Sequence, residues 1–388
     1  MNFLHTALQQ LEQDNLYRRL VDYTPQDAVH ADIEGRQYLM MAANNYLGLT
    51  HHPAVRQAAA AASLTYGTGS GGSRLTTGNH LVYRQLELQL AAFKGTEAAL
   101  VFNTGYMANV GTISALAEQG DVIFSDELNH ASIIDGCRLS RAKTVVYGHS
   151  NMNQLAGLLT NTPCSGRRFI ITDGVFSMDG DIARLADIVQ LAQKVKAFVM
   201  VDDAHATGVI GPGGRGTAAH FGLEGQVHIS MGTLSKSLGS EGGYVAGSQL
   251  LIDYLVNKAR SFIFSTALAP ATVAAALAAL NQLSSKPDMV EKLAANAQYL
   301  RTELSLAGFD TCGSTTAIVP VLVGDAALTV EFARLLRDEG ILVSAIRPPT
   351  VPVGSSRLRI TVSAAHSQVE LTEASKAICT IGRRLGVI

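Results

Sequence analysis

The sequence predicts an α/β protein, with a large domain built on a mainly parallel sheet covered by helices and a smaller α+β domain at the C-terminal end. From about residue 98 to 205, an apolar β-type run, a polar tip and a helical stretch recur. That alternation specifies parallel strands joined by crossover helices. Beyond Gly247 the rhythm changes to long helices and short strands. At 388 residues the chain exceeds one ordinary domain, so two lobes are expected. The expected divisions are an N-terminal helix and arm at 1–45, the large domain at 46–250, and linking helices with the small domain at 251–388.

Hydrophobic residues make up 47% of the chain and charged residues 16%, the composition of a folded enzyme rather than a disordered chain. A formal net charge of −2 without a basic cluster argues against nucleic acid and anionic membrane as partners. Cys137, Cys164, Cys312 and Cys379 are scattered without Cys-x-x-Cys spacing, which argues against a zinc site and a disulfide framework and for a reducing cytoplasm. The N-terminus lacks the apolar core of a signal peptide. Residues 267–280 are the most apolar stretch, but they are interrupted by Pro270 and Thr272 and fall short of a membrane span, so they read as a buried helix.

In chain order, residues 1 to about 25 read as an amphipathic helix and a polar arm carrying Arg18 and Arg19, with little core to bury. The run at 40–49 breaks into a turn at Asn44-Asn45. Gly67, Gly69 and Gly72 satisfy Gly-x-Gly-x-x-Gly, but a dinucleotide fingerprint follows a strand and opens a helix. This one follows an Ala-rich helical stretch at 55–62, so it reads as a flexible active-site wall. Val82, Leu86, Leu90 and Phe93 recur at helical spacing and read as core. The strand at 98–102 then runs into Thr104-Gly105-Tyr106, a turn that offers free backbone N–H groups and a positive helix end to a phosphate. The strand at 122–126 leads to His130, and the small pair Ala131-Ser132 leaves room for a flat ring against the imidazole. The strand in 168–181 repeats the pattern, and the next helix turns Leu185, Ile188, Ala192 and Val195 inward.

The chemistry concentrates in the next two segments. Phe-Val-Met-Val-Asp202-Asp203-Ala-His205 is a buried-type strand closing on two carboxylates and an imidazole. Gly232-Thr-Leu-Ser-Lys236-Ser-Leu-Gly239 then presents an amine at a strand end among hydroxyls. Such a lysine can form a Schiff base with an aldehyde cofactor, and the hydroxyls can hold a phosphate; pyridoxal phosphate has both groups. Its ring needs an anion at the pyridine nitrogen and a donor near the phenolic oxygen, roles that Asp202 and His205 fit. These motifs fall at the carboxyl ends of strands, where open α/β sheets gather ligands.

Helices are expected at 253–264 and 289–306, the second closed by Gly308, with short strands at 318–323 and 341–345. Three prolines stiffen the loop at 346–352, which contains Thr350. Arg357 and Arg359 share one strand face, as a carboxylate fork or as a solvated basic edge.

The ordered set is His130, Thr-Asp-Gly-Val-Phe-Ser-Met-Asp-Gly-Asp, Val-Asp-Asp-Ala-His-Ala-Thr-Gly-Val and Gly-Thr-Leu-Ser-Lys. It resembles the α-oxoamine synthases, fold-type I pyridoxal phosphate enzymes that join an amino acid to an acyl-CoA with loss of carbon dioxide. The likeness runs over about 44–366. The Gly-Ser-Gly-Gly-Ser stretch and Arg-Pro-Pro-Thr-Val-Pro are most similar to the biotin-pathway branch, which implies L-alanine and a pimeloyl thioester as substrates. The resemblance implies that Lys236 is the Schiff-base lysine and general base, that Asp202 partners the pyridine nitrogen, and that His205 and Ser177 lie near the phenolic oxygen. It stacks the catalytic His130 on the ring and puts the Gly105 and Tyr106 backbone, with Thr233, on the phosphate. It further implies a homodimer with a shared active site, in which Ser265 and Thr266 reach the other subunit's phosphate. Asn44 and Arg359 would then bind substrate, Arg359 through the amino-acid carboxylate, while Arg18 and Thr350 face the acyl chain. No metal is implied. Asp173 stands where many members carry Glu, and Arg19 competes with Arg18 for its role. The alternatives are glycine acetyltransfer to 2-amino-3-ketobutyrate, a pyridoxal aldolase or aminotransferase that uses no acyl-CoA, and a catalytically silent cofactor-binding protein.

Overall fold

The computed structural model describes residues 2–13, 16–18 and 20–388. Seven strands form the central sheet, in the order Ala98–Phe102, Gly243–Gly247, Ile229–Thr233, Phe198–Asp202, Arg168–Asp173, Val122–Asp126 and Lys143–Tyr147. The pairings from Ile229–Thr233 onward are parallel. Gly243–Gly247 runs antiparallel to both of its neighbours. Its connection back to Thr233 is shorter than the roughly dozen residues a parallel crossover needs, so the chain can only return in the opposite direction.

A sheet covered on both faces must be apolar on both. Ile123, Ile171 and Met200 accordingly point into one cluster with Phe102 and Ile133. The alternate residues Phe124, Ile170, Val199 and Val201 point into another with Leu185 and Ile188. The predicted helical core is present, with Val82, Leu86 and Leu90 buried on the helix Leu81–Lys94. The apolar stretch forms the helix Pro270–Ser285, and Pro270 starts it at a position where its missing N–H costs nothing. Small buried residues, Ala275, Ala276 and Ala279, let it pack closely on Pro53–Tyr66 and Leu81–Lys94.

Two expected elements are each divided. The helix expected at 253–264 is Gln249–Lys258 and Arg260–Ile263, broken at Ala259, whose ψ is 105°. The break redirects the chain so that Ser261 Oγ donates to Met107 O at 2.7 Å, a tertiary tie that local pattern does not announce. The strand expected at 341–345 is Ile341–Leu342 and Ser344–Ile346, which pair in different sheets.

The second of these belongs to an antiparallel sheet in which Ser356–Thr361 lies between Ile318–Gly324 and Ser344–Ile346. The first pairs with Arg36–Met40, so residues before the large sheet are tied to the C-terminal lobe. Met41 continues this tie, donating to Leu342 O and accepting from Thr361 N at 2.8 Å each. The chain is thereby steered so that Asn44 and Tyr46 meet the edge of the large sheet. Arg357 and Arg359 occupy the central strand and are buried, which removes the solvated-edge reading. Among the described residues, no helix is long and apolar enough to cross a membrane.

Candidate active site

Four parallel strands bring Asp126, Asp173, Asp202 and Thr233 to one edge of the sheet. Asp173 and Asp202 are in register on neighbouring strands, so two buried carboxylates stand side by side. A cavity of about 230 Å³ opens between these ends and the start of the helix Gly105–Leu116. Gly105, Tyr106, His130, Asp202, His205, Thr233 and Lys236, all expected from sequence, line it together.

Lys236 Nζ lies 2.9 Å from His205 Nε2. Burial lowers the lysine pKa to about 8, Asp202 and Asp173 oppose the shift, and Arg359 adds to it. Burial also pushes His205 well below the usual histidine value, reinforced by Lys236, Arg359 and His130. Both oxygens of Asp202 are fixed: Asn109 Nδ2 donates to Oδ2 at 2.7 Å and Ala204 N to Oδ1 at 2.8 Å. The adjacent Asp203 serves the fold instead. It pairs with Lys94 at 2.7 Å, accepts from Thr217 Oγ1 at 2.6 Å, and is buried as deeply as its lysine.

His130 caps the helix Ala131–Leu139, its Nδ1 accepting from Ser132 N at 3.2 Å. Ser132 Oγ accepts from Asn109 Nδ2 at 2.8 Å, so its own hydrogen is available for His130 Nδ1 at 2.7 Å. Nδ1 is therefore an acceptor, and burial keeps the ring neutral by lowering its pKa. His130 N donates to Asp173 Oδ2 at 3.1 Å. Burial and the neighbouring Asp202 raise the Asp173 pKa well above the usual carboxylate range.

At the other end of the cavity, Thr104 Oγ1 accepts from Met107 N at 3.0 Å, while helix geometry leaves the N–H groups of Gly105 and Tyr106 without intrahelical partners. A Cβ on Gly105 would stand 3.2 Å from Met231 Cε and 3.4 Å from Thr233 Oγ1, so glycine keeps this cradle open. An amine for an aldehyde, a fixed carboxylate for a ring nitrogen and a helix N-terminus for a phosphate together fit pyridoxal phosphate.

From the C-terminal sheet, Arg359 Nη2 donates to Asn44 Oδ1 at 3.0 Å, Nη1 to Thr361 Oγ1 at 3.1 Å, and Nε to the carbonyl of Ser177. The remaining sequence-predicted residues do not line the cavity of this chain. Ser265 Oγ donates to Ser261 O at 2.7 Å. Thr266 pairs through its backbone with Ser73, and Ala267 N donates to Gly72 O at 2.9 Å, which anchors the expected glycine-rich wall. Arg18 and Thr350 are exposed, and Arg19 lies outside the described residues.

Sequence reasoning did not single out Asn109, Tyr46 or His149. Asn109 is one helical turn beyond Gly105, a spacing that could have found it. His149 clasps Asp126 Oδ1 at 3.0 Å and Asp181 Oδ2 at 2.9 Å, holding the loop that carries Ser177 against a strand end. Burial opposes its charge, but Asp126 and Asp181 outweigh burial and raise its pKa to about 10. The folded value lies above the unfolded value of about 6.5. Its stabilisation is therefore complete below about pH 6.5 and is lost as pH rises toward 10. Urea unfolding should show a stability gap between wild type and His149→Gln that is flat below about pH 6.5 and closes toward pH 10. A gap independent of pH contradicts this assignment.

The aminotransferase class I and II family model matches residues 36–378. The chain is 52% identical over 383 residues to an 8-amino-7-oxononanoate synthase of Citrifermentans bemidjiense, covering 98% of both chains. It is 48% identical over 381 residues to one from Lysinibacillus sphaericus, again covering 98% of both. Among solved structures, a serine palmitoyltransferase from S. paucimobilis with a bound pyridoxal phosphate–myriocin adduct superposes with TM-score 0.94 at 34% identity, covering 99% of this chain and 98% of that one. An 8-amino-7-oxononanoate synthase from Francisella tularensis gives TM-score 0.77 at 28% identity, covering 89% and 98%. With the cavity chemistry and these likenesses in agreement, the chain belongs to the aminotransferase class I and II family and, within its pyridoxal phosphate-dependent α-oxoamine synthases, to the 8-amino-7-oxononanoate synthases.

Proposed function

We propose that the protein condenses L-alanine with a pimeloyl thioester. A bond forms between alanine Cα and the thioester carbonyl, the thiol and carbon dioxide leave, and 8-amino-7-oxononanoate is produced for biotin synthesis. The observation that carries this reading is the Lys236 amine, lowered to about pKa 8 and set 2.9 Å from His205 in a cavity shared with Asp202 and a helix N-terminus.

Bound there, pyridoxal phosphate supplies an electron sink for the charge left at alanine Cα. Lys236 takes the α-proton, and a pKa near 8 suits a base that works near neutral pH. Asp202, its two oxygens fixed by Asn109 and Ala204, would hold the proton on the ring nitrogen. The neutral His130 would lie against the ring, and His205, with Ser177 as the resemblance implies, would serve its phenolic oxygen. The N–H groups of Gly105 and Tyr106, with Thr233, would hold the phosphate. Arg359, braced by Asn44 and Ser177 O, binds the alanine carboxylate and releases it as carbon dioxide leaves. Lys236 then returns a proton to Cα.

The protein acts as a homodimer in this reading. Phe264, beside Ser265, is 71% exposed, and Leu75 and Leu81 near the glycine-rich wall are 53% and 60% exposed. A second copy that covers them would place Ser265 and Thr266 toward its own phosphate. Arg18 and Thr350 serve the acyl chain.

Thiol release across alanine, glycine and serine with acetyl, palmitoyl and pimeloyl thioesters tests the substrate assignment. Alanine with the pimeloyl thioester should be fastest, since each buried methylene contributes about 0.8 kcal/mol. A methyl-sized pocket favours alanine over glycine by about 1–3 kcal/mol. Fastest turnover with glycine and the acetyl thioester would reassign the reaction to 2-amino-3-ketobutyrate formation. No thiol release with any pair would favour the aldolase reading.

A further inference from the structure

We infer that Asn109 and Ser132 are positioning residues: Asp202 orients the Asn109 amide, the amide orients the Ser132 hydroxyl, and that hydroxyl holds the ring proton of His130 on Nε2, the nitrogen left to face the cavity. This deepens the part given to His130 and rests on reading the cavity as the pyridoxal phosphate site. Side chains from a strand end and two helix starts form one chain of hydrogen bonds. Asn109 Nδ2 donates to Asp202 Oδ2 at 2.7 Å and to Ser132 Oγ at 2.8 Å, and Ser132 Oγ lies 2.7 Å from His130 Nδ1. Asn109, Ser132 and Asp202 are 1%, 1% and 4% exposed, so bulk water does not compete for these bonds.

The carboxylate end sets the direction. A carboxylate only accepts, so the Asn109 group that faces Asp202 is the amide nitrogen, and its second hydrogen goes to Ser132 Oγ. With the amide reversed, a carbonyl oxygen would stand against Asp202 Oδ2. The observed orientation is kept although Asn109 Oδ1 is buried with no hydrogen-bond partner among the described residues, a cost that the two bonds from Nδ2 offset. Ser132 Oγ accepts from Asn109, so its own hydrogen is directed to His130 Nδ1. A second donor points at the same nitrogen: Ser132 N lies 3.2 Å from Nδ1, and a backbone N–H cannot become an acceptor. Burial lowers the His130 pKa, opposed by Asp202 and assisted by Lys236, and keeps the ring neutral. A neutral ring that accepts at Nδ1 carries its proton on Nε2, and His130 lines the cavity.

His130 therefore meets the substrate as a hydrogen-bond donor. Neither ring nitrogen has a lone pair free for the α-proton, which leaves that proton to Lys236. Asp202 acts on Nδ1 through Asn109 and Ser132, and this makes a remote substitution informative. Asp202→Asn puts an amide nitrogen opposite Asn109, because Ala204 N keeps an oxygen at the Oδ1 position. The Asn109 amide must then turn its oxygen to that side, where it draws the Ser132 hydrogen away from His130. Ser132 Oγ can then accept from a protonated Nδ1.

The test uses cofactor-free protein labelled with ¹⁵N-histidine, so its readout does not depend on turnover. There are eleven histidines, and the His130 signals are assigned as those lost in His130→Asn, since asparagine also caps a helix. Wild type should show a protonated Nε2 and an unprotonated, hydrogen-bonded Nδ1. Ser132→Ala should move the tautomer ratio toward protonated Nδ1 by about 2–10-fold, the scale of one net hydrogen bond, while the backbone donor at position 132 remains. Asp202→Asn should move the ratio the same way, and should move it no further when combined with Ser132→Ala. A wild-type ring protonated on Nδ1 overturns the proposal whether or not any variant folds. So does folded Ser132→Ala or Asp202→Asn protein with the wild-type ratio, or an Asp202→Asn shift that persists undiminished in Ser132→Ala. Borohydride fixation of added pyridoxal phosphate to Lys236 in wild type tests the proposed function separately. Its absence removes that function, whereas the tautomer proposal can fail with fixation intact.

Discussion

Lys236→Ala is expected to lower turnover by roughly 10²–10⁴-fold or more, because in the proposed mechanism the substitution removes the base that takes and returns the α-proton. The fold should survive, since Asp202 keeps its bonds from Asn109 and Ala204 and the strand Ile229–Thr233 is untouched. The variant should also lose the covalent anchor, so borohydride will leave no cofactor attached to the chain. A small primary amine added to the assay should restore part of the proton transfer, because the cavity left by the side chain can admit it. Wild-type turnover in Lys236→Ala, or borohydride labelling at another lysine, would remove Lys236 from the mechanism.

Asp202→Asn is expected to slow α-proton removal by about 10²–10³-fold, the scale on which one preorganised electrostatic partner contributes. Asparagine has nearly the same shape and can still accept from Ala204 N, but its amide nitrogen then faces the Asn109 Nδ2 donor, so folding and cofactor retention are measured alongside the rate. What it lacks is the negative charge that holds a proton on the ring nitrogen. The neighbouring Asp173 does not substitute, because burial and Asp202 hold its carboxyl well above the usual range and it is engaged by His130 N. Deuterium exchange into alanine without thioester isolates this step. Exchange at the wild-type rate in Asp202→Asn contradicts the role given to Asp202.

The residues that sequence reasoning found lie where local pattern and chemistry coincide. Asp202 closes one apolar strand with His205 just beyond it, Lys236 lies just beyond the next, and the parallel register then aligns those ends without further information. Gly105 follows a strand and opens a helix, so its role was legible from the turn. Tyr46 was not, because the residue its hydroxyl meets, His205, is 159 positions away and its turn looks like any Asn-Asn turn. The break at Ala259 was equally silent, since neither proline nor glycine marks it and a tertiary bond from Ser261 accompanies the redirected chain. The antiparallel Gly243–Gly247 strand was readable in principle from its short connection, but strand alternation alone favours a parallel pairing. Ser265, Thr266, Arg18 and Thr350 lie outside the cavity of this chain, and no local pattern in the sequence separates them from the residues that line it.

Wild-type protein incubated with carboxyl-labelled alanine, pyridoxal phosphate and a pimeloyl thioester decides whether this cavity performs decarboxylative condensation. The label should appear as carbon dioxide in equal amount to the thiol released and to the amino ketone formed. Thiol release without labelled carbon dioxide, or product that retains the labelled carboxyl, would contradict it.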